Sequence, residues 1–174
     1  LLQSSAASDV YKRQLLVLLN GGWDDGFKVQ FLDLELNFMR VDKLSTVFGI
    51  IFCIAAFLGN IFAFHLREST QPFVALIYSG AAIGAVFAGD LVTLFVYWEL
   101  TAISSVFLIW ARKTEGAYHS GMRYLIIQVL SGVVLLFGVA LFYFEKGSIS
   151  FSKMELDSLA TALIFVAFGI KCAF

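Results

Sequence analysis

The chain has 174 residues, of which 60% are hydrophobic and 14% charged, and its mean hydropathy is +0.86. Soluble globular domains contain about 45 to 50% apolar residues, so this composition predicts an integral membrane protein. A formal net charge of −1 offers no basic surface of the kind that binds nucleic acid. The apolar residues form long runs, and in lipid a single run satisfies its backbone only as a helix. We therefore expect an all-α membrane protein, a bundle of about five transmembrane helices.

The first 43 residues differ from the rest of the chain. Residues 1–14 include a stretch, Ser4 to Gln14, that is similar to translated adapter sequence, and we interpret this segment as non-native. Leu15 to Leu19 is too short to span a membrane, which takes about 20 residues, so it is interpreted as the end of a truncated helix. Residues 29–41 alternate apolar and polar side chains, the period of an extended strand. Residues 15–43 are thus expected to hold a helix end and an extracytoplasmic strand or hairpin.

Residues 44–174 are predicted to form the transmembrane helical domain, incomplete at its C-terminus. Its predicted helices, α1 to α5, run from about Leu44 to Leu66, Pro72 to Ala88, Leu91 to Trp110, Gly121 to Phe144, and Leu159 to the end of the chain. Short connections between them predict antiparallel neighbours. Glycine and alanine residues along α2 predict close approach of another helix. A second alternating piece, residues 149–152, is a candidate partner for the first.

The charged residues of the loops predict the orientation of the helices. Arg67, Arg112 and Lys113 lie in short loops on one side, whereas most acidic loop residues fall on the other. Lysine and arginine in short loops favour the cytoplasmic side. We therefore predict a multi-pass protein of the bacterial inner membrane with the loop at residues 111–120 in the cytoplasm.

Two charges are predicted to lie deep inside the membrane. Glu99 is the only Asp, Glu, Lys, Arg or His between Leu91 and Trp110, and Lys171 lies in the last apolar run. A charge at the bilayer centre costs about 2.5 to 3.5 kcal/mol on insertion scales, so such a residue is a functional candidate. At about 1.5 Å per residue, Glu99 lies about 13 Å and Lys171 about 18 Å from the same side. Both depths are near the midplane at about 15 Å, which predicts an ion pair or a water-bridged contact.

The chemistry of this pair suits a proton relay. Burial favours the neutral form of each group, whereas pairing favours the charged forms, so making and breaking the pair changes its affinity for protons. Lysine can release a proton when buried, and arginine cannot. Two alternatives stay open: Glu99 as a protonated carboxyl bonded to a neighbouring helix, and Lys171 reaching from a helix end to the interface.

Other polar residues carry weaker predictions. Candidates for the relay or for holding water are Arg123, Gln128, Ser131 and His65. For Arg123 and His65 the alternative is an interfacial position, and serines and threonines in membrane helices often bond their own backbone.

The remaining polar and sulfur-containing residues predict structural roles. Asp42 and Asp90 are predicted to cap helix N-termini. Cys53 and Cys172 belong to no metal-binding or disulfide spacing, and both are interpreted as buried small hydrophobic residues. The sequence thus predicts no metal, no cofactor and no catalytic site of its own.

Four motifs occur in order along the chain. They are Val41-Asp-Lys-Leu-Ser45, Asp90-Leu-Val-Thr-Leu-Phe-Val-Tyr-Trp-Glu-Leu100, Met122-Arg-Tyr-Leu125 and Phe168-Gly-Ile-Lys171. Together they resemble the antiporter-like subunits shared by respiratory complex I and Mrp-type cation/proton antiporters, and are most similar to the D-type subunit of the Mrp antiporters. The resemblance implies that the bundle is the partial first repeat of such a subunit. It also implies an essential glutamate at Glu99, a lysine near a helix break at Lys171, and, as a departure, arginine at position 123 where lysine is common.

The resemblance also implies what the protein does and with what it assembles. The expected function is a proton-translocating subunit of a monovalent cation (Na⁺)/H⁺ antiporter, working with other membrane subunits, protons and Na⁺. One alternative is a proton-pumping membrane subunit of NADH:quinone oxidoreductase (complex I) or of a related hydrogenase. Another is a structural subunit without transport. A membrane enzyme acting on quinone would predict histidine pairs or cysteine clusters, which the sequence lacks.

Overall fold

A computed structural model describes residues 28–31, 34–62 and 70–172 of the chain. In this part a hairpin precedes five helices. Its strands are β1 (Lys28–Phe31) and β2 (Leu34–Asn37), and its helices are α1 (Lys43–Phe62), α2 (Thr70–Phe87), α3 (Leu91–Trp110), α4 (Glu115–Lys146) and α5 (Leu159–Lys171). The helical fold class is therefore confirmed. The predictions for residues 1–14, for Leu15 to Leu19, for His65 and for the end of α1 lie outside the described residues.

The helices differ in how readily they cross a membrane. Among the described residues, α1, α3 and α4 are long and apolar enough to span, while the apolar stretches of α2 and α5 are shorter. The helices pack in chain order, α1 on α2, α2 on α3, α3 on α4 and α4 on α5. Both α3 and α5 thus lie against α4, which brings the two helices with buried charges to one neighbour.

Helix α4 is longer than predicted, and the loop at residues 111–120 is mostly helical. The Thr114 side chain accepts a hydrogen bond from the Ala117 N–H and caps the helix, and Glu115 places a negative charge in its first turn. Residues 115–120 therefore belong to the helix, and the connection from α3 is reduced to residues 111–114. At the other end Gly147 takes a left-handed conformation with φ of 68° and closes the helix.

The hairpin and the helices share a hydrophobic core near the start of α3. Its buried members come from β2, α3, α4, α5 and the α4–α5 loop, and they are Leu36, Leu91, Leu135, Val139, Phe142, Ile149, Ala160, Ile164 and Ala167. Close helix contact contributes to this packing, since a Cβ on Gly138 of α4 would lie 3.0 Å from Ile164 Cγ1.

The start of α3 is hydrogen-bonded to both the hairpin and the α4–α5 loop. We call the group Asn37, Gly89, Asp90, Ile149 and Ser150 the Asp90 junction. Gly89 N–H donates to the Asn37 carbonyl at 2.9 Å, and a Cβ on Gly89 would lie 2.7 Å from that oxygen. Leu91 N–H donates to the Ile149 carbonyl at 3.1 Å, and Asp90 forms a β-bridge with Ser150. In the described residues, the piece at 149–152 therefore pairs with Asp90 and not with the hairpin.

Candidate functional site

Glu99 and Lys171 form an ion pair inside the bundle. The Lys171 Nζ donates to Glu99 Oε1 at 3.4 Å, and the side chains of Lys171 and Glu99 are 6% and 18% exposed, respectively. The residues are 72 positions apart and lie on α3 and α5. Removing one partner of a buried pair leaves an uncompensated charge, which costs about 3 to 5 kcal/mol. Each of the two charges therefore stabilises the other in this buried site.

Helix α4 provides the space that the pair needs. A Cβ on Gly132 would lie 2.6 Å from Glu99 Cδ, so only a residue without a side chain leaves room for the carboxylate. Beside it, Ser131 is 1% exposed, and its Oγ donates to the Ala167 carbonyl of α5 at 3.4 Å. The geometry thus ties Ser131 to the backbone of α5, and Gly132 lines the site although sequence reasoning missed it.

An aromatic side chain also contacts the ammonium. Lys171 Nζ lies over the Trp98 ring, 5.4 Å from its centroid. Phe168 packs against the same ring with centroids 4.5 Å apart and planes at 64°. Sequence reasoning missed Trp98. The available signal was the spacing of Phe168 three residues before Lys171, which places these two side chains on one face of α5.

Of the weaker relay candidates, Ser131 lies beside Gly132, whereas Arg123 and Gln128 lie nearer the start of α4. Arg123 is exposed and Gln128 half-buried on α4. The Thr101 and Ser104 hydroxyls donate to the carbonyls of Tyr97 and Leu100, at 2.8 and 2.7 Å. Such bonds to the helix's own backbone are common for these residues.

Asp90 caps α3 at a buried position. It is 2% exposed, and its Oδ1 accepts from Thr93 N–H at 2.7 Å. Its Oδ2 accepts from Thr93 Oγ1 at 2.9 Å and from Asn37 N–H at 2.6 Å. The carboxylate therefore joins the cap of α3 to the hairpin.

Asp42 occupies the corresponding position before α1, at the surface. Its Oδ1 accepts from Ser45 N–H at 2.7 Å and its Oδ2 pairs with Arg40 at 2.9 Å. The hydrogen bond from the Ser45 backbone, followed by that from the Arg40 guanidinium, lowers the pKa of Asp42.

One of the two cysteine predictions was wrong. Cys53 is buried, as expected, but Cys172 is exposed because it follows the last turn of α5 as its C-cap. Among the described residues, no group of three or more His, Cys, Asp or Glu side chains is placed to hold a metal ion.

Fold and site define a helical membrane protein with a buried ion pair between two helices that pack on a third. Residues 88–174 match the family model described as NADH:quinone oxidoreductase/Mrp antiporter, TM. The chain belongs to this family. The matched half includes Glu99, Gly132 and Lys171.

Two relatives by sequence carry the names of antiporter subunits. The D-type subunit of the Na(+)/H(+) antiporter of Alkalihalophilus pseudofirmus is 28% identical over 151 residues, covering 86% of this chain and 30% of that protein. The putative antiporter subunit mnhD2 of Staphylococcus aureus is 28% identical over 176 residues, covering 94% of this chain and 34% of that protein. The chain thus spans about a third of the length of these relatives.

Solved structures show the same fold. The Mrp complex from Dietzia sp. DQ12-45-1b contains a chain that matches with a TM-score of 0.80 at 21% identity, over 99% of this chain and 36% of that one. A chain of respiratory complex I from Thermus thermophilus with bound aureothin matches with a TM-score of 0.72 at 19% identity. The match covers 98% of this chain and 38% of that one. The predicted antiporter-like fold is therefore confirmed.

Proposed function

We propose that this chain is part of a proton-translocating membrane subunit, similar to the D-type subunit of monovalent cation (Na⁺)/H⁺ antiporters. The observation that carries the proposal is the buried contact of 3.4 Å between Lys171 Nζ and Glu99 Oε1. The names of the relatives from Alkalihalophilus and Staphylococcus support it. The partners proposed are other membrane subunits of the same assembly.

The pair acts as a relay because its two proton sites are coupled. When Glu99 takes up a proton, its carboxylate becomes neutral and Lys171 loses the charge that stabilised its ammonium. A buried ammonium without a partner is costly, so Lys171 gives its proton to the next acceptor and becomes a neutral amine. The neutral amine of Lys171 then takes the proton from Glu99, which restores the ion pair. Each cycle passes charge through the middle of the bundle.

We further propose that the protein lies in the bacterial inner membrane with residues 111–114 facing the cytoplasm. Arg112 is exposed in this connection, and Lys113 follows it. Basic residues in a short loop favour the cytoplasmic side. The hairpin and the Asp90 junction then lie at the outer surface.

A second candidate is a proton-pumping membrane subunit of NADH:quinone oxidoreductase or of a related hydrogenase. The fold match to complex I, with a TM-score of 0.72, favours it. The ion pair serves the same purpose in both assemblies. Purification of the full-length protein separates them: an antiporter subunit brings other antiporter subunits with it, and a complex I subunit brings subunits with iron–sulfur clusters.

The first prediction tests the relay in the full-length protein within its complex. Glu99→Gln and Lys171→Ala each remove one charge of the buried pair, and we expect each to lower proton-linked transport in membrane vesicles at least about tenfold, which corresponds to about 1.4 kcal/mol. Lys171→Arg keeps the charge but cannot release the proton, so it is expected to assemble and to lose transport as well.

Lys153→Ala is the matched control, because this lysine is 89% exposed in the α4–α5 loop. It is expected to transport normally. Normal transport by Glu99→Gln and Lys171→Arg in an intact complex contradicts the relay and favours a structural subunit.

A further inference from the structure

The Lys171 ammonium has two neighbours of different chemistry on α3. Trp98 and Glu99 are consecutive, and Lys171 Nζ lies 3.4 Å from the Glu99 Oε1 and 5.4 Å from the centroid of the Trp98 ring. A cation within about 6 Å of an indole face is attracted by the ring's quadrupole, and more strongly where water is excluded. The Lys171 side chain is only 6% exposed, so the contact is in such an environment.

The indole is held in place by the helix that carries the ammonium. Phe168 packs edge-on against Trp98, and it lies one turn before Lys171 on the same face of α5. Trp98 also packs against the buried core of the bundle. Phe168 and Lys171 both contact the Trp98 ring. The ring therefore stays within reach of the ammonium when the lysine side chain moves away from Glu99.

We propose that Trp98 is a positioning residue of the relay, whose indole face holds the Lys171 ammonium while Glu99 carries a proton. This inference rests on the proposed function. A carboxylate attracts the ammonium and also accepts its proton, whereas the indole face attracts it and has no basic atom to accept a proton. Trp98 therefore keeps Lys171 protonated and oriented after the ion pair opens, until the next acceptor is reached.

The other titratable side chains on α3 and α4 contact other residues or lie at the surface. On α3, Tyr97 packs over Gly84 of α2. On α4, the Tyr124 hydroxyl lies 3.0 Å from Ser105 Oγ, and Arg123 is exposed. The other titratable residues of α4 lie near its two ends, and all are exposed except the half-buried Tyr143: Glu115, Tyr118, His119, Tyr143, Glu145 and Lys146. Within the described part of α3 and α4, Glu99 is thus the charged group in contact with Lys171.

The test measures transport against pH in vesicles containing the full-length protein in its complex. Trp98→Leu removes the indole face and keeps an apolar side chain. Without the face the ammonium of Lys171 is less stable, so we expect the alkaline limb of the profile to move to lower pH by about half to one unit, with a roughly three- to tenfold lower maximal rate. Trp98→Phe keeps a smaller aromatic face and is expected to give about half of the shift.

The matched control is Trp110→Leu on the same helix. Trp110 stacks on Tyr118 with centroids 5.7 Å apart, at the end of α3, and this variant is expected to keep the wild-type pH profile. A fluorinated tryptophan at position 98 keeps the shape of the ring and weakens its attraction for cations. We expect it to move the alkaline limb in the same direction as Trp98→Leu, and this variant leaves the packing intact.

Two results overturn the inference. One is a wild-type profile for Trp98→Leu, and the other is a lower rate with no shift for both Trp98→Leu and the fluorinated protein, which indicates packing alone. The outcome is separate from the proposed function: if Glu99→Gln and Lys171→Arg are inactive while Trp98→Leu behaves as wild type, only the role of Trp98 fails.

Discussion

Gly132 of α4 determines how close the Glu99 carboxylate can come to that helix. A Cβ at this position would lie 2.6 Å from Glu99 Cδ, well inside van der Waals contact. The neighbouring Ser131 is tied to the α5 backbone through the Ala167 carbonyl. Because the carboxylate fits beside a glycine, Glu99 reaches across α4 to a lysine on α5. The glycine is therefore as much a part of the site as the two charges.

Gly132→Ala is expected to displace the Glu99 carboxylate and lengthen the contact with Lys171. We expect proton-linked transport to fall about tenfold, equivalent to about 1.4 kcal/mol of lost stabilisation, with the complex still assembled. Transport by vesicles measures the effect. Gly80→Ala on α2 is the control, since its Cβ meets no described atom within 4 Å, and alanine favours a helix by about 0.5 to 1 kcal/mol over glycine. Equal transport by both variants contradicts a required close approach of Glu99 to Gly132.

The sequence predicts the charged pair but not its surroundings. Depth follows from counting residues, because the rise of a helix is fixed, and this was enough to match Glu99 with Lys171. The residues that surround the pair depend on how each helix is rotated about its axis and on which helices pack together. Counting residues therefore could not show that Trp98 and Gly132 line the site. In the sequence they are only an aromatic residue next to Glu99 and a glycine next to Ser131.

At the scale of elements, the caps and the hairpin follow from local chemistry. The alternation in residues 29–41 gives the β1–β2 pair, in which Val29 faces Leu36 in antiparallel register. Asp90 lies at the N-terminus of α3, as its position before an apolar run predicted. The first turns of α4 were missed because residues 115–120 contain Glu115, His119 and Ser120 and are less apolar than the rest of the helix. Low hydropathy alone does not separate a loop from a helix that extends beyond the hydrocarbon.

Asp90→Ala is expected to destabilise the bundle more than Asp42→Ala does. It removes the cap of α3, worth about 1 kcal/mol, and leaves the Asn37 N–H without its partner, which costs about 1 to 3 kcal/mol. Asp42 is a cap with a side chain that is 44% exposed, so water can replace it. Thermal unfolding of the purified complex measures the difference, and Asp90→Asn, which keeps an acceptor oxygen for Thr93 N–H, is expected to fall between wild type and Asp90→Ala. Equal melting temperatures for Asp90→Ala and Asp42→Ala would contradict a structural role for the buried cap.

At the scale of the whole molecule, the described helices leave broad apolar faces uncovered. Phe48, Ile51 and Leu58 on α1 are about half exposed, as are Ile127 and Phe137 on α4. Such faces suit lipid tails or further membrane helices. The chain spans about a third of the length of its relatives, and in its described residues Glu99 and Lys171 form the buried ion pair on which the proposed path rests.

The orientation of the bundle is tested by labelling of cysteines. In a background with Cys53→Ala and Cys172→Ser, a membrane-impermeant maleimide is expected to label Ser152→Cys in intact cells, because residue 152 lies in the exposed α4–α5 loop. Arg112→Cys is expected to react only after the membrane is opened, because its loop is predicted to be cytoplasmic. The background protein without either new cysteine serves as the control, and the reverse pattern would invert the bundle.

The Asp90 junction holds the start of α3 beside the loop that leads to α5. From there Glu99 is nine residues along the chain, a distance set by helix geometry and not by loops. One residue inserted between Leu91 and Trp98 would turn the glutamate by about 100° and move it about 1.5 Å, away from the lysine. In the α4–α5 loop, Ser152 and Lys153 are exposed, whereas Met154 packs against the core. A change of length between the junction and Glu99 is therefore expected to separate Glu99 from Lys171.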